Sequence, residues 1–271
     1  MKLSIIVPVR NEILTLKIMV QVMRTVLDFD HEIVVVYDTL DDTSIPIIDE
    51  IMKATDNVIG VHNADGIGAL NAVRAGLKAA SGEYAFLYAA DEVVPILGIP
   101  YMVELMDKDG CEFSAMTRYR WGGGRYGRSR LGTYLSKIAN MAFRLAVGSV
   151  FSDCTSGAKM FKPDDFGRLV GERTDIGWDF AFDMAINAQC LGLRVGEVPI
   201  ISVDRMFGGA STYRLTAWTK NYLKVFFRGA WKLGIHPFRR SPALVVRVPS
   251  NIPGGERRIV HPRGRETEIG A

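Results

Sequence analysis

Four histidines and three cysteines in 271 residues leave little material for a metal centre or a disulfide frame. Cys111, Cys154 and Cys190 stand far apart with no paired spacing, and His31, His62, His236 and His261 are scattered. That pattern fits a reducing compartment and excludes a zinc motif. Long apolar runs are missing too: none reaches the roughly 18–20 residues that span a bilayer. The opening stretch from Met1 to Val9, interrupted by Arg10, is too short for a secretory signal. Charge of one sign is equally scarce, since 33 basic and 30 acidic residues give a formal net charge of +3. So small an excess speaks against a nucleic-acid partner but leaves room for a local basic patch. The expectation is a cytoplasmic protein, soluble or peripheral on the inner face of a membrane.

What is present is the composition of a folded α/β chain, with 48% apolar and 23% charged residues. Leu3–Val9 reads as a buried strand, and Glu12–Leu27 as a helix with Leu16, Met19, Val20, Met23 and Val26 on one face. Glu32–Tyr37, Val58–Val61 and Glu83–Tyr88 read as further strands, with helices near 44–54 and 67–80 between them. Strands alternating with helices at this spacing predict a mostly parallel sheet flanked by helices. Ligands of such sheets sit outside the carboxyl ends of the strands.

Those ends are polar. The first strand is followed by Arg10-Asn11-Glu12, the second by Asp38-Thr39-Leu40-Asp41-Asp42-Thr43-Ser44, the fourth by Ala89-Ala90-Asp91-Glu92. Asp42 and Ser44 could simply cap the next helix; Asp38 comes too early for that. Further on, a strand at 113–119 leads into a loop rich in glycine and arginine. Arg118, Arg120, Arg125, Arg128 and Arg130 fall within thirteen residues, and an anionic partner such as phosphate suits them. A helix over 131–147 would pack through Leu135, Ile138, Ala139, Ala142 and Leu145. In Trp178–Ala185 the acids Asp179 and Asp183 share one helical face. Between Leu215 and Lys232, Lys220, Lys224, Arg228 and Lys232 recur every four residues among aromatics, as an interfacial amphipathic helix requires. Domains are expected at 1–214 (catalytic), 215–234 (interfacial helix) and 235–271 (a poorly ordered tail rich in Pro, Gly and Arg).

Taken in order, these segments resemble the family-2 glycosyltransferases of the GT-A fold, in their polyprenyl (dolichyl) phosphate sugar synthase branch. The resemblance is carried by Ser4–Glu12, by Val36–Ser44, and by Asn63–Asn71 followed by Gly76 and Ala80-Ser81-Gly82. It continues through Asp153-Cys154-Thr155-Ser156-Gly157, Glu197-Val198-Pro199-Ile200, and Asp204-Arg205 with Gly208–Ser211. It implies an inverting transferase acting on polyprenyl phosphate, with GDP-mannose as the favoured donor and UDP-hexoses as the other option. Donor-nucleotide contacts would come from Pro8, Arg10, Glu12, Asp38, Asp42, Gly68 and Ala90. Arg118, Arg128, Arg130, Ser211 and Arg214 would hold the acceptor phosphate. Asp91, Asp183 and Arg205 would be catalytic, with Asp183 the general base where the acceptor is a hydroxyl.

One departure bears on the cofactor. The family's D-x-D signature falls on Ala89-Ala90-Asp91, so the first carboxylate is absent; Asp91 and Glu92 remain to hold Mg²⁺ or Mn²⁺. Three rival readings follow: a saccharide hydroxyl as acceptor, a sugar-nucleotide-binding relative without catalysis, and a dinucleotide oxidoreductase. Against the last, Asn71 stands where the third glycine of G-x-G-x-x-G belongs.

Overall fold

In the computed structural model, the structure describes residues 2–127, 130–172, 177–203, 215–234, 243–249, 255–261 and 266–269. The first half alternates strand and helix: β1 (Leu3–Val9), α1 (Ile13–Val26), β2 (His31–Tyr37), α2 (Ile45–Ala54) and β3 (Val58–His62). Then come α3 (Ala69–Ala79), β4 (Tyr84–Leu87), α4 (Ile99–Asp107) and β5 (Phe113–Thr117). The second half contains β6 (Gly124–Tyr126), α5 (Arg130–Val147), β7 (Lys159–Phe161), α6 (Phe166–Val170), α7 (Phe180–Cys190), β8 (Val195–Pro199) and β9 (Ile201–Val203). It closes with α8 (Leu215–Gly234), β10 (Leu244–Val248), β11 (Glu256–Val260) and β12 (Glu266–Ile269).

The main sheet has the order β12-β11-β10-β8-β5-β7-β4-β1-β2-β3, while β6 and β9 pair separately. Parallel pairing links β3, β2, β1 and β4, and again β5, β8 and β10; β7 and β11 run against their neighbours. The mostly parallel sheet expected from the sequence is therefore what forms. Its strands read as continuous apolar runs because both faces are covered. Ile6, Val34 and Val36 enter one core cluster with α3, α7 and α8, while Ile5, Val7, Ile33 and Val35 enter the other with α1 and α4. That is the period of two of a strand.

The Ala80-Ser81-Gly82 segment belongs to the amino ends of the strands. Buried Glu32 accepts hydrogen bonds from Ser4 Oγ (2.5 Å), Ser81 N (2.6 Å) and Ser81 Oγ (2.9 Å). A Cβ on Gly82 would lie 2.5 Å from the Ser4 nitrogen, so only glycine fits. This motif fastens the sheet and has no place in the ligand edge.

Two expectations are corrected. The segment 235–271, read as a poorly ordered tail, contributes β10, β11 and β12 to the sheet. Arg247, only 8% exposed, anchors them through Asp109 (2.6 Å) and Glu104 (2.8 Å) of the α4 region. And α5 does not pack through Leu135, Ile138 and Leu145, all of which are exposed; among its described side chains Asn140 and Phe143 are the buried ones.

Candidate active site

The parallel strands bring the predicted polar clusters to one sheet edge. On the β1–β4 side the loops are laced together by carboxylates that accept backbone N–H groups. Asn11 has φ +58°, a left-handed conformation that asparagine tolerates better than most residues. Its N–H donates to Asp42 Oδ1 (3.1 Å), and its Oδ1 accepts from both the N–H and the hydroxyl of Thr43 (3.1 Å each). Ser44 N–H donates to the same Asp42 oxygen (2.8 Å), and Ser44 Oγ accepts from Glu12 N–H (2.8 Å). Asp42, expected to meet a nucleotide, is thus buried as a brace between the loops after β1 and β2. Ser44 likewise makes no cap bond to α2.

Asp38 remains half-buried at the edge. Its two oxygens accept from Asn63 Nδ2 (2.7 Å) and Gly68 N–H (2.9 Å), holding the β3–α3 loop in place. Gly66 and Gly68 there adopt φ of +103° and +139°, which side chains resist. Gly68, expected to contact the donor nucleotide, gives its N–H to Asp38. Beside them Pro8 is half-buried, Arg10 is exposed, and half-buried Glu12 accepts from Thr15 Oγ (3.2 Å). Each Asp38 oxygen keeps a second lone pair for a ribose or base donor.

After β4 the chain turns through Ala89–Glu92, with Ala90 buried and Asp91 and Glu92 half-buried. Glu92 Oε1 accepts from Ser202 Oγ (2.7 Å). Burial raises the Tyr88 hydroxyl well above its usual pKa, and the charges of Glu92 and Asp91 add to this. No group of three potential ligand side chains occurs among the described residues. Two hard carboxylate oxygens still suit Mg²⁺ or Mn²⁺, provided substrate oxygens and water complete the shell.

The β5–β8 side is built differently, around buried charge. Arg118 meets Asp153 through Nε (2.7 Å) and Nη2 (3.0 Å), and its Nη2 also donates to Thr155 Oγ (3.2 Å). Burial alone would raise the Asp153 carboxyl; Arg118 outweighs it and holds that group below the ordinary carboxylate range. Glu197, fully buried, accepts from Ser152 N (2.8 Å), Ser152 Oγ (2.8 Å) and Asp153 N (3.2 Å). Burial pushes its carboxyl up to about 7. Lys159 is buried too, its ammonium depressed by burial and lying over the Phe113 and Phe151 rings. Arg118, predicted to grip an acceptor phosphate, is held inward by Asp153 and keeps a side-chain exposure of only 12%. The glycine-rich loop is not open chain: Gly123 N–H bonds Arg120 O, Gly124 N–H bonds Ile200 O, and β6 pairs with β9.

Asp183 departs furthest from expectation. Its side chain is 3% exposed and ion-paired with Arg228 of α8. It joins two helices and is not set to take a proton from a substrate. Arg128, Arg205, Ser211 and Arg214 lie outside the described residues, as does the side chain of Arg130. Asn11, Asn63, Asp153 and Glu197 were quoted from the sequence without a role. The signal for Glu197 was a lone carboxylate within the apolar run Val195–Ile200.

Comparison with known proteins gives consistent results. The family model described as "Glycosyl transferase family 2" matches residues 4–169. A protein named glycosyltransferase AglD from Haloferax volcanii is 27% identical over 205 residues, which is 73% of this chain and 32% of that protein. The chain thus spans about a third of that relative's length. Among solved structures, glucosyl-3-phosphoglycerate synthase from Mycobacterium tuberculosis with uridine diphosphate superposes with a TM-score of 0.61 at 18% identity. That match covers 85% of this chain and 80% of the other. A complex of the same synthase with Mn²⁺, UDP-glucose and phosphoglyceric acid gives 0.61 at 17% identity, with the same coverage.

Proposed function

This chain belongs to glycosyl transferase family 2, and from that premise we propose that it transfers a sugar from a nucleotide-diphosphate donor to a lipid-borne phosphate, with inversion at the anomeric carbon. The fold is GT-A-like, and the Asp38 and Asp91 loops share the edge where such a donor would lie.

The observation that carries the choice of acceptor is the state of Asp183. A saccharide hydroxyl needs a base to remove its proton, and the residue expected to do so is buried against Arg228. A phosphate acceptor is already an anion and needs positioning more than deprotonation. The branch resemblance and the basic, aromatic composition of α8 favour a polyprenyl phosphate at the cytoplasmic face of a membrane. No helix among the described residues is long and apolar enough to cross that membrane.

In this reading Asp38 accepts hydrogen bonds from the ribose or base, with Pro8, Arg10 and Glu12 forming the rim. Asp91, with Glu92 beside it, would hold a divalent cation whose chemistry is to neutralise the leaving diphosphate. Arg118 positions the acceptor segment through Asp153 and Thr155, leaving direct contact with the acceptor phosphate to the arginines and Ser211 outside the described residues. GDP-mannose is the donor implied by the branch resemblance; likeness to a UDP-glucose complex keeps UDP-hexoses beside it. A second reading, a small soluble phosphate acceptor, is favoured by the phosphoglyceric acid of that complex.

The test is turnover with GDP- and UDP-sugars against three acceptors at matched concentration: a short prenyl phosphate, 3-phosphoglycerate and a free saccharide. The proposal expects product with the prenyl phosphate. Product with the saccharide alone would sink it, and product with phosphoglycerate alone would establish the second reading.

A further inference from the structure

Arg120 has no part in the transfer chemistry above, yet it ties the glycine-rich loop to the far end of the chain. Its Nη2 pairs with Glu266 of β12, 146 residues on, and the two side chains are only 29% and 30% exposed. Three consecutive residues thus make three separate attachments. Arg118 is held by Asp153, Tyr119 OH donates to Ser136 Oγ of α5 (2.7 Å), and Arg120 reaches β12. β12 is the outermost strand of the sheet and joins it through β11 and β10. The C-terminal strands therefore touch the loop that leads into the site.

The corner at Arg120 and Trp121 needs an outside hold. Trp121 has φ +52°, a left-handed conformation that a bulky side chain resists. Its ring lies under the Arg120 guanidinium, 4.7 Å from the centroid, and packs on the core. Even so, Trp121 Nε1 and Arg120 Nη1 are buried and find no hydrogen-bond partner among the described residues, which is costly for both donors. Like charge adds to this. Burial, and after it the charge of Arg120, lowers the pKa of Arg144 on α5, while Glu197 and Glu266 oppose them. Strained backbone, orphaned donors and facing arginines all favour opening the corner. Such strain persists only where the surroundings over-determine it. Glu266 is the acid that pairs with Arg120 and draws on Arg144 as well.

We propose that Glu266 is a positioning residue for the acceptor: through Arg120 it holds the loop from Arg118 to Tyr126 in place at the site edge. From the corner the chain turns through Gly122 (φ +87°) and Gly123, where a Cβ would lie 2.7 Å from Thr117 O, and returns as β6 beside β9. Without Glu266 the corner relaxes, and the loop that carries Arg118 and Arg125 shifts with it. The donor edge at Asp38 and Asp91 belongs to other loops and is untouched. This deepens the lipid-phosphate reading and rests on it for the identity of the acceptor, but the tether itself is readable with no acceptor present.

The experiment compares the full chain with Glu266→Gln, which removes the charge and keeps the shape. The variant should raise KM for a short prenyl phosphate about fivefold, the upper end for an ion pair of this exposure. Its donor KM and its thermal midpoint should stay at the wild-type values. Glu266→Arg sets a third cation beside Arg120 and Arg144 and should raise the acceptor KM further. Adding Arg120→Glu to that variant restores an opposite pair and should bring the acceptor KM back toward wild type. Limited trypsin digestion after Arg125 reads the tether alone: cutting should be faster in Glu266→Gln and normal again in the exchanged pair. Faster cutting with no transfer to any prenyl phosphate, even by wild type, keeps the tether and sinks the lipid reading. Unchanged cutting, equal losses on donor and acceptor, or an exchange that restores nothing would each overturn the proposal.

Discussion

The two sides of the site edge are held by different chemistry. On the β1–β4 side, half-buried Asp38 and buried Asp42 accept neutral donors, chiefly N–H groups of neighbouring loops. On the β5–β8 side, Arg118, Asp153, Lys159 and Glu197 are buried and answer one another. The first arrangement leaves Asp38 with lone pairs for a ligand. The second fixes a segment, because a buried charge that loses its partner is costly. One side is suited to receiving a nucleotide and the other to holding an acceptor platform still.

The sharpest way to break this contrast is Asp153→Ala. It strands the Arg118 guanidinium and should cost about 3–5 kcal/mol, measured by urea unfolding; a loss below about 1 kcal/mol, the scale of an exposed pair, would place this pair with the surface bridges. Asp91→Asn probes the opposite case, a carboxylate used in chemistry. Turnover should fall by roughly 10²–10³ with the unfolding midpoint unchanged, and near-normal turnover would remove Asp91 from the mechanism. Asp38→Asn exchanges one acceptor oxygen for a donor facing Gly68 N–H or Asn63. A stability loss of about 1–2 kcal/mol should accompany weaker nucleotide binding by calorimetry. If affinity stays intact, Asp38 is a brace like Asp42.

The smallest effect is one of pH. Glu197 is raised to about 7 from 4.5, so the folded chain binds its proton more tightly than the unfolded chain does. Its contribution is complete below about 4.5 and is lost as pH rises through about 7. Asp153, held low by Arg118, works oppositely: its contribution is present above 3.8 and lost as acid protonates it. Glu197→Gln keeps an acceptor and a donor for the Ser152 contacts. It should therefore remove the decline between pH 4.5 and 7 with little change at pH 5. A decline that persists in this variant assigns it to another group.

Much of the β1–β4 side was legible in the sequence. Strands covered on both faces must be continuously apolar, so β1 and β2 announce themselves and the polar residues after them fall at the ligand edge. What each polar residue does there was not legible, since Asp38 and Asp42 differ only in which loop reaches them. The apolar stripe of α5 was visible, but periodicity reports that a face is apolar, not which phase it meets. The strands β11 and β12 escaped for another reason. Glu256-Arg257-Arg258 and Glu266-Thr267-Glu268 carry charges suited to a sheet margin, and their place depends on Arg247 reaching Asp109 far back in the chain. Asp183 aligned with a family acid, and only its distant contact with Arg228 shows that the carboxylate is occupied.

The most direct test of the central claim follows radiolabelled sugar from GDP- and UDP-linked donors into organic solvent, with polyprenyl phosphate as acceptor and Mg²⁺ or Mn²⁺ present. Wild type should carry label into the lipid phase and Asp91→Asn should not. If nucleotide binds and no label partitions with any donor, transfer to a lipid phosphate is contradicted.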